Sequence, residues 1–457
     1  MNAERRALLA ETLGAGAGAA ALAAAIAGAG DRGAYLARAV LTARIPTERQ
    51  VADDRLAFLI DADAALAGIE RDARRAPGRV RRMPVRLVDG IVIDVTDSAG
   101  AAFTSGIQRV SRGVLRAWAG EVPFTPVVLT PAGVLRSATP EESERAGAPR
   151  DAGGPATALV PLGARLFLPE IATAEGRAAR LAAIARHGSV ESLAIGHDCI
   201  PMTTAESAPE GMPAAFADYL AGVARFRRIA ATSAASAAEF RGWAAMLPAA
   251  GLTPPEVLRV GLPVVPIAAA PEPEASIRAA LRLGDAPIVL VVGTHEPRKN
   301  HLAVLAAAEL AWRGGAAFSL VMVGARSWEA KPFDAAVRRA ERAGRPLVVL
   351  TGAPDSRLAG LYRAAVASVF VSFNEGFGLP VAESLAAGTP VITADFGSQR
   401  EIGEGRGAIL VDPREPRAIA AAILDVLADP AAARARVTAP PPRGWAQYAA
   451  ELRELLG

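Results

Sequence analysis

The sequence predicts an α/β protein built from two doubly wound, parallel-sheet domains behind an N-terminal helical extension. Three observations carry this. First, short runs rich in Val, Ile and Leu alternate with helical stretches from Ile288 to Val411: Ile288–Val292, Ser319–Val323, Leu347–Leu350, Ser368–Val371, Val391–Thr393 and Ala408–Val411. Regular strand–helix alternation of this kind is the pattern of a parallel sheet covered by helices. Second, a looser series of the same type runs from Val85 to Ser233. Third, the passage from Gly261 to Glu274, with Pro263, Pro266, Pro271 and Pro273, separates the two series and reads as a linker.

Composition narrows the function. The 457 residues are 51% apolar, ample for sizeable cores, but only 5% aromatic, so helices are expected to pack through small residues. Fifty basic residues face 47 acidic ones, a balance that excludes a nucleic-acid binder. The single Cys199 excludes an intrachain disulfide and fits a reducing cytoplasm. Four His and one Cys form no metal-ligand cluster of recognisable spacing.

Residues 1–82 are expected to form an Ala-rich helical or partly flexible extension. Leu13 to Gly30 is uncharged and near the length of a membrane span, yet almost all Ala and Gly, which favours a soluble or partly disordered helix. Leu56, Leu59, Ile60, Ala64 and Ala67 fall at helical spacing, with Leu66 at the edge of that face and Phe58 and Ile69 off it. Arg74, Arg75, Arg79, Arg81 and Arg82 form a basic cluster, read as a solvated linker or as a patch for anionic lipid headgroups.

The first compact domain is expected over 83–266, with strands at Val85–Val88, Ile91–Val95, Pro126–Leu129, Arg165–Leu168, Ser192–Ile195 and Ile229–Ser233. Thr104, Ser105, Gly106, Ile107, Gln108, Arg109 and Val110 run into an amphipathic helix carrying Val114, Leu115 and Trp118, a strand–glycine loop–helix unit of the phosphate-turn type. His197 and Asp198 follow Ser192–Ile195. A polar pair at the carboxyl end of a buried strand is where open α/β sheets place ligand chemistry. Ser233 is expected to cap the next helix.

The second domain, 275–438, carries the densest signal. Its first strand ends in Gly293-Thr294-His295-Glu296-Pro297-Arg298-Lys299-Asn300, where two cations can neutralise a diphosphate. A later strand ends at Gly352. Val366 to Val371 reads as a buried strand, followed by a turn through Asn374, Glu375, Gly376, Phe377 and Gly378. Pro380 suits a first helical position, and Gly388 suits the end of that short helix after Ala387. The N–H groups of Gly376 to Leu379 then lack helical partners and offer an anion site at the positive end of the helix dipole. Glu375 and Glu383, seven residues apart in between, add acceptors for sugar hydroxyls. Residues 439–457 are expected to hold a final helix, Trp445–Leu456, after Pro440, Pro441 and Pro442.

The Glu-x7-Glu spacing around G-F-G-L-P closely resembles the signature of the family-4 retaining glycosyltransferases, which have the two-domain GT-B fold, two Rossmann-like sheets facing a cleft. The segment H-D-C-I-P at His197 and the stretch S-G-I-Q-R-V at Gly106 resemble those of a mannosyltransferase-like branch, as does E-P-R-K-N at Lys299. The resemblance covers roughly residues 85 to 457. It implies transfer of a hexose, mannose favoured, from a nucleotide diphosphate sugar, GDP-mannose favoured, to an acceptor hydroxyl. The acceptor it implies is lipid-linked or a polysaccharide of cell-envelope or exopolysaccharide synthesis. It assigns catalysis to Glu375, His197 and Lys299. It assigns donor contacts to Arg298, Lys299, Glu375, Gly376, Phe377, Gly378, Leu379, Glu383 (the ribose diol), Gly352 (the base) and Gly106. Asp198 and Arg109 fall to the acceptor or the cleft. Thr294 stands where the family commonly has Arg, and Arg298 is expected to supply that charge. No metal and no cofactor are expected, since no Asp-x-Asp lies near the site, and same-face attack assisted by the leaving phosphate is the favoured route to retention. Two other classes stay open: another sugar-nucleotide GT-B enzyme, either an epimerase, which would hydrolyse donor without acceptor, or a phosphorylase, whose pyridoxal-phosphate lysine site is not found, and a non-catalytic GT-B scaffold, which should lack Glu375 or Lys299. The expected setting is cytoplasmic, with peripheral contact at the inner membrane face.

Overall fold

The computed structural model describes residues 2–16, 18–100, 106–150, 156–264 and 270–457. Two sheets organise it. The first has seven strands in the spatial order Leu135–Ser137, Phe124–Leu129, Ile91–Asp94, Ala164–Leu168, Ser189–Gly196, Arg228–Ala231, Glu256–Arg259. All neighbours are parallel except Leu135–Ser137, which returns antiparallel along Phe124–Leu129. The second has six parallel strands in the order Leu347–Leu350, Ser319–Val323, Ile288–Val292, Ala365–Phe370, Val391–Ala394, Ile409–Val411. Both are doubly wound sheets, and together they are the two Rossmann-like halves of a GT-B fold.

The second sheet was legible because its inner strands are buried along their length and so read as unbroken apolar runs. Ile288–Val292, Ser319–Val323 and Leu347–Leu350 have the expected bounds. The first domain holds three strands the sequence did not announce, two of them in the seven-stranded sheet. Leu135–Ser137 and Ala158–Pro161 are short, and Glu256–Arg259 is a sheet-edge strand with charged residues at both ends. Val85–Val88 is a strand as expected but stands outside the main sheet, paired in parallel with Ala158–Pro161.

The face predicted over Leu56–Ala67 is corrected. Asp61 breaks the helix in two, Glu48–Ile60 and Ala62–Arg75, because its side chain accepts from the Ala64 N–H at 2.9 Å and caps the second one. The break resets the helical phase. Phe58, Leu66, Ile69 and Ala73 are buried, whereas Leu56, Leu59 and Ile60 are 59%, 64% and 78% exposed.

The described residues up to Arg81 are mostly helical, and they are integrated into the first domain rather than appended to it. Leu9, Leu22, Ile26, Tyr35 and Leu36 share one core with Leu166, Leu168, Ile184 and Phe216. Leu22, Ala23 and Ile26, the apolar face of the uncharged Leu13–Gly30 stretch, are spent in that core. Among the described residues no helix is long and apolar enough to cross a membrane. Arg5 fixes the layer. Its guanidinium is buried and donates to the carbonyls of Leu41 (2.8 Å), Val80 (2.9 Å) and Met83 (2.6 Å), so one side chain ties together the ends of two separate segments. Tyr35 donates to Pro161 O at 3.2 Å from the opposite side.

The expected linker spans residues 265–269, which lie outside the described residues, as does the expected boundary at 266. At the other end of the chain, Trp445–Leu456 crosses back to the first domain. Tyr448, Leu452 and Leu456 join the core of Val114, Phe167 and Ile195, and Trp118 Nε1 donates to Ala449 O at 2.8 Å.

Removal of residues 2–82 would uncover the first-domain side of this shared core. The truncated protein is expected to aggregate or to lose most of its thermal stability. A truncated protein that is monodisperse with an unchanged melting temperature would contradict the packing.

Candidate active site

The second sheet reverses its strand order at Ile288–Val292, which lies between Ser319–Val323 and Ala365–Phe370. The crevice beyond the carboxyl ends of strands at such a switch point is where open α/β sheets hold ligands. Two loops leave it, residues 293–300 and 371–378. They are stitched together: Phe373 N–H donates to Arg298 O at 3.0 Å, Arg298 NH1 to Asn374 O at 2.8 Å, and Asn300 Nδ2 to Val371 O at 3.2 Å. Asn300 takes a left-handed conformation, φ 58°, and the helix His301–Arg313 begins behind it. Arg298 and Lys299 therefore sit in a turn ahead of the helix, not within its first turn.

Both cations converge on Glu375. Lys299 Nζ lies 2.6 Å from Oε1, and Arg298 NH1 lies 2.8 Å from Oε2. Arg298 NH2 also meets Glu296 at 2.6 Å, and Lys299 Nζ stands 5.0 Å above the Phe370 ring. All three side chains are nearly buried. Burial alone would raise the Glu375 carboxyl, but Arg298 and Lys299 overcome it and hold its pKa at about 2. Burial, with Arg298 beside it, lowers the pKa of Lys299. The result is a desolvated charged triad in which Glu296, itself buried, balances the second cation.

Beside the triad, Gly378 adopts φ 94° and precedes the helix Leu379–Ala386, with Pro380 in its first turn. A side chain at 378 would be strained in this conformation. Among the described residues, the N–H groups of Gly376, Phe377, Gly378 and Leu379 meet no acceptor. Four unsatisfied donors thus lie next to two buried cations.

The first domain closes the other side. A Cβ on Gly376 would fall 2.3 Å from His197 O, so only glycine permits this approach. The Thr232 and Ser236 hydroxyls sit between the carbonyls of His197 and Gly376. Ser236 Oγ is 2.7 and 2.9 Å from the two, and Thr232 Oγ1 is 2.9 and 3.3 Å. Two hydroxyl protons suffice for two carbonyls, one from each domain. His197 is buried, and its Nε2 is 2.9 Å from Pro169 O. A carbonyl partner requires Nε2 to carry the proton, which leaves Nδ1 as an acceptor. Burial holds the imidazole pKa down, at about 4, so the ring is neutral. Burial raises Asp198 to about 6, against the pull of Arg298.

Sequence reasoning missed the polar clamp that holds the domains in register. Asn374 Nδ2 donates across the seam to Glu239 at 2.9 Å and to Thr203 at 3.1 Å, while its Oδ1 accepts the Glu375 N–H at 2.8 Å. Glu401 accepts the Ala234 N–H at 2.8 Å, at the start of the helix capped by Ser233, and pairs with Arg259 at 2.8 Å. These partners are 135 or more positions apart, and no local pattern could have joined them.

Glu383, Arg109, Gly106 and Gly352 complete the predicted set. Glu383 uses both oxygens within the protein: Oε1 is 3.2 Å from Arg109 of the first domain and Oε2 is 3.2 Å from the Tyr362 hydroxyl. Two residues assigned separately to donor and cleft therefore hold each other. Burial raises the Glu383 pKa, with Arg109 opposing. Leu379 lines the same small cavity as Arg109 and Glu383. Gly106 is exposed at the start of the helix Gly106–Trp118, and the preceding Thr104 and Ser105 lie outside the described residues. Gly352 is exposed, and nothing lies within 4 Å of where its Cβ would be. Among the described residues no three His, Cys, Asp or Glu side chains are grouped as a metal site.

If Glu375 is what keeps two buried cations together, Glu375→Gln should destabilise the protein by about 3–5 kcal/mol, the cost of leaving a buried charge unpaired. Urea unfolding checks this, and a loss below about 1 kcal/mol would show that the triad is not a closed electrostatic unit.

Comparison with known proteins agrees with this fold. The family model "Glycosyl transferases group 1" matches residues 286–429. The serotype-specific mannosyltransferase WbdA of Escherichia coli is 28% identical over 335 residues, 69% of this chain and 40% of its own. The O-antigen chain mannosyltransferase B of Escherichia coli is 38% identical over 141 residues, 31% of this chain and 36% of its own. The chain thus spans about two fifths of the length of these curated relatives. Among solved structures, sucrose-phosphate synthase from Thermosynechococcus elongatus superposes with TM-score 0.55 at 18% identity, over 80% of this chain and 98% of that one. HepE of Anabaena, solved with UDP and glucose, superposes with TM-score 0.54 at 14% identity, over 81% and 99%. Residues 286–429 are a glycosyl transferases group 1 domain, set in a chain with the GT-B fold.

Proposed function

We propose that this protein is a retaining, metal-independent hexosyltransferase that moves mannose from GDP-mannose to a hydroxyl of a lipid-linked or polysaccharide acceptor. The observation that carries this reading is the buried Lys299–Glu375–Arg298 triad beside the free N–H groups of residues 376–379, facing His197 across the seam. The two cations and the N–H row are suited to a diphosphate, whose charge grows as the glycosidic bond breaks. Glu375, held ionised, would accept from sugar hydroxyls and stabilise positive charge at the anomeric carbon. His197, neutral with Nδ1 as acceptor, would take a sugar hydroxyl from the first-domain side. Asp198, beside it, would orient the sugar or the acceptor. Attack on the same face, with the leaving phosphate taking the acceptor's proton, needs no protein nucleophile.

Mannose is supported by the mannosyltransferase relatives and the acceptor class by the O-antigen relative, while the guanosine nucleotide rests on the resemblance of the His197, Gly106 and Lys299 segments to the mannosyltransferase-like branch. In this reading the enzyme works in the cytoplasm. The exposed Arg74, Arg75, Arg79, Arg81 and Arg82 would provide peripheral contact with an anionic membrane face.

A thermal-shift screen of guanosine-, uridine-, thymidine- and adenosine-diphosphate sugars tests the donor. The guanosine compound is expected to stabilise most, by about 2.7 kcal/mol at 100 times its dissociation constant. A larger shift with another base would overturn the donor assignment. Lys299→Ala should lower kcat at saturating donor by about 10²-fold or more, while a chelator leaves the wild-type rate intact. Normal turnover in the variant, or a large loss with chelator, would contradict the mechanism.

Glu383 is proposed to receive the ribose diol by exchanging its bond to Arg109. Glu383→Ala should then weaken donor binding by about 1.5–3 kcal/mol, whereas Arg109→Ala should not weaken it. Equal losses in both variants, measured calorimetrically, would instead make the pair a domain tie.

A further inference from the structure

Four arginines from three segments surround one cavity of about 280 Å³ under the N-terminal helices: Arg38, Arg44, Arg75 and Arg180. Arg38 is neutralised, by Asp54 at 2.6 Å and Asp72 at 3.2 Å. The other three are not. Among the described residues no carboxylate lies within ion-pair distance of Arg44, Arg75 or Arg180. Arg44 Nε is buried and finds no acceptor. Arg180 donates to Ile45 O and lies against Gly133, where a Cβ would fall 2.7 Å from its Cζ, so the guanidinium is held in place by the backbone around it. Burial, and then the charge of Arg44, lowers the pKa of Arg180. Arg75 is exposed at the cavity mouth, and Gln50 adds a neutral donor to the wall.

Like charges gathered in a partly buried space raise the free energy of the protein unless an anion bridges them. Planar guanidinium forks match phosphoryl oxygens two at a time. We propose that this pocket binds a phosphoryl anion, either a free phosphate or diphosphate or the headgroup of an anionic lipid, at a site distinct from the transferase cleft. The pocket shares no residue with the cleft and does not depend on the donor assignment.

Calorimetric titration with inorganic pyrophosphate tests the site. Because the cleft also offers cations, the titration uses full-length Lys299→Ala, alone and combined with Arg44→Gln or Arg75→Gln. Lys299→Ala alone is expected to bind, and each added substitution to weaken binding about tenfold or more, the value of one charge-assisted hydrogen bond. Arg75 is exposed, so Arg75→Gln keeps the test available should Arg44→Gln fail to fold. Vesicles of phosphatidylglycerol that displace bound pyrophosphate would support the site with a lipid headgroup as its source. Retained binding in their presence would support it with a free phosphate. No binding by Lys299→Ala, or equal affinity with and without the arginine substitutions, would overturn the proposal.

Discussion

Glu375 held between Lys299 and Arg298 is the interaction on which the rest of this structure turns. Three charges withdrawn from water are stable only in close, well-made geometry, so the loops that carry them must be fixed. That requirement accounts for the stitching of residues 293–300 to 371–378, for the left-handed Asn300, and for the conformation at Gly378. It also explains why the first domain approaches so closely. Gly376, the neighbour of Glu375, packs on His197 O, and the Thr232 and Ser236 hydroxyls satisfy the carbonyls that this contact buries.

The same interaction links fold to chemistry. In the proposed function, the cations that would hold a diphosphate are kept in position by the carboxylate that would meet the sugar. Neither needs to be drawn in from solvent when a donor arrives, and such preorganisation is the main way a protein stabilises developing charge. The clamp of Asn374 with Glu239 and Thr203, and of Glu401 with the helix start at Ala234, ties the two domains together beside His197 and Glu375.

How much of this was legible in the sequence follows from what each feature depends on. Strands buried on both faces write themselves as apolar runs, so the second sheet could be read nearly strand by strand. The turn at Glu375 was legible because Gly376, Gly378 and Pro380 each answer a local backbone demand. Leu135–Ser137 and Glu256–Arg259 were not, since edge strands carry mixed patterns. The helical face over Leu56–Ala67 failed at one residue: Asp61 is an ordinary helix surface residue until its carboxylate caps a new helix, and then every later position shifts phase. The apolar stretch from Leu13 to Gly30 announced burial without saying against what, and its partners, such as Leu166 and Phe216, are far away in the chain. The pairing of Arg109 with Glu383 and the ring of arginines about Arg44 are tertiary facts of the same kind.

The most direct test of the central claim is a crystal structure of the protein with a bound nucleoside diphosphate. The account predicts the diphosphate against the N–H groups of residues 376–379, within hydrogen-bond distance of Lys299 Nζ and Arg298, with the Glu375 carboxylate turned away from at least one of them. A nucleotide bound elsewhere, with the Lys299–Glu375–Arg298 contacts unchanged, would contradict it.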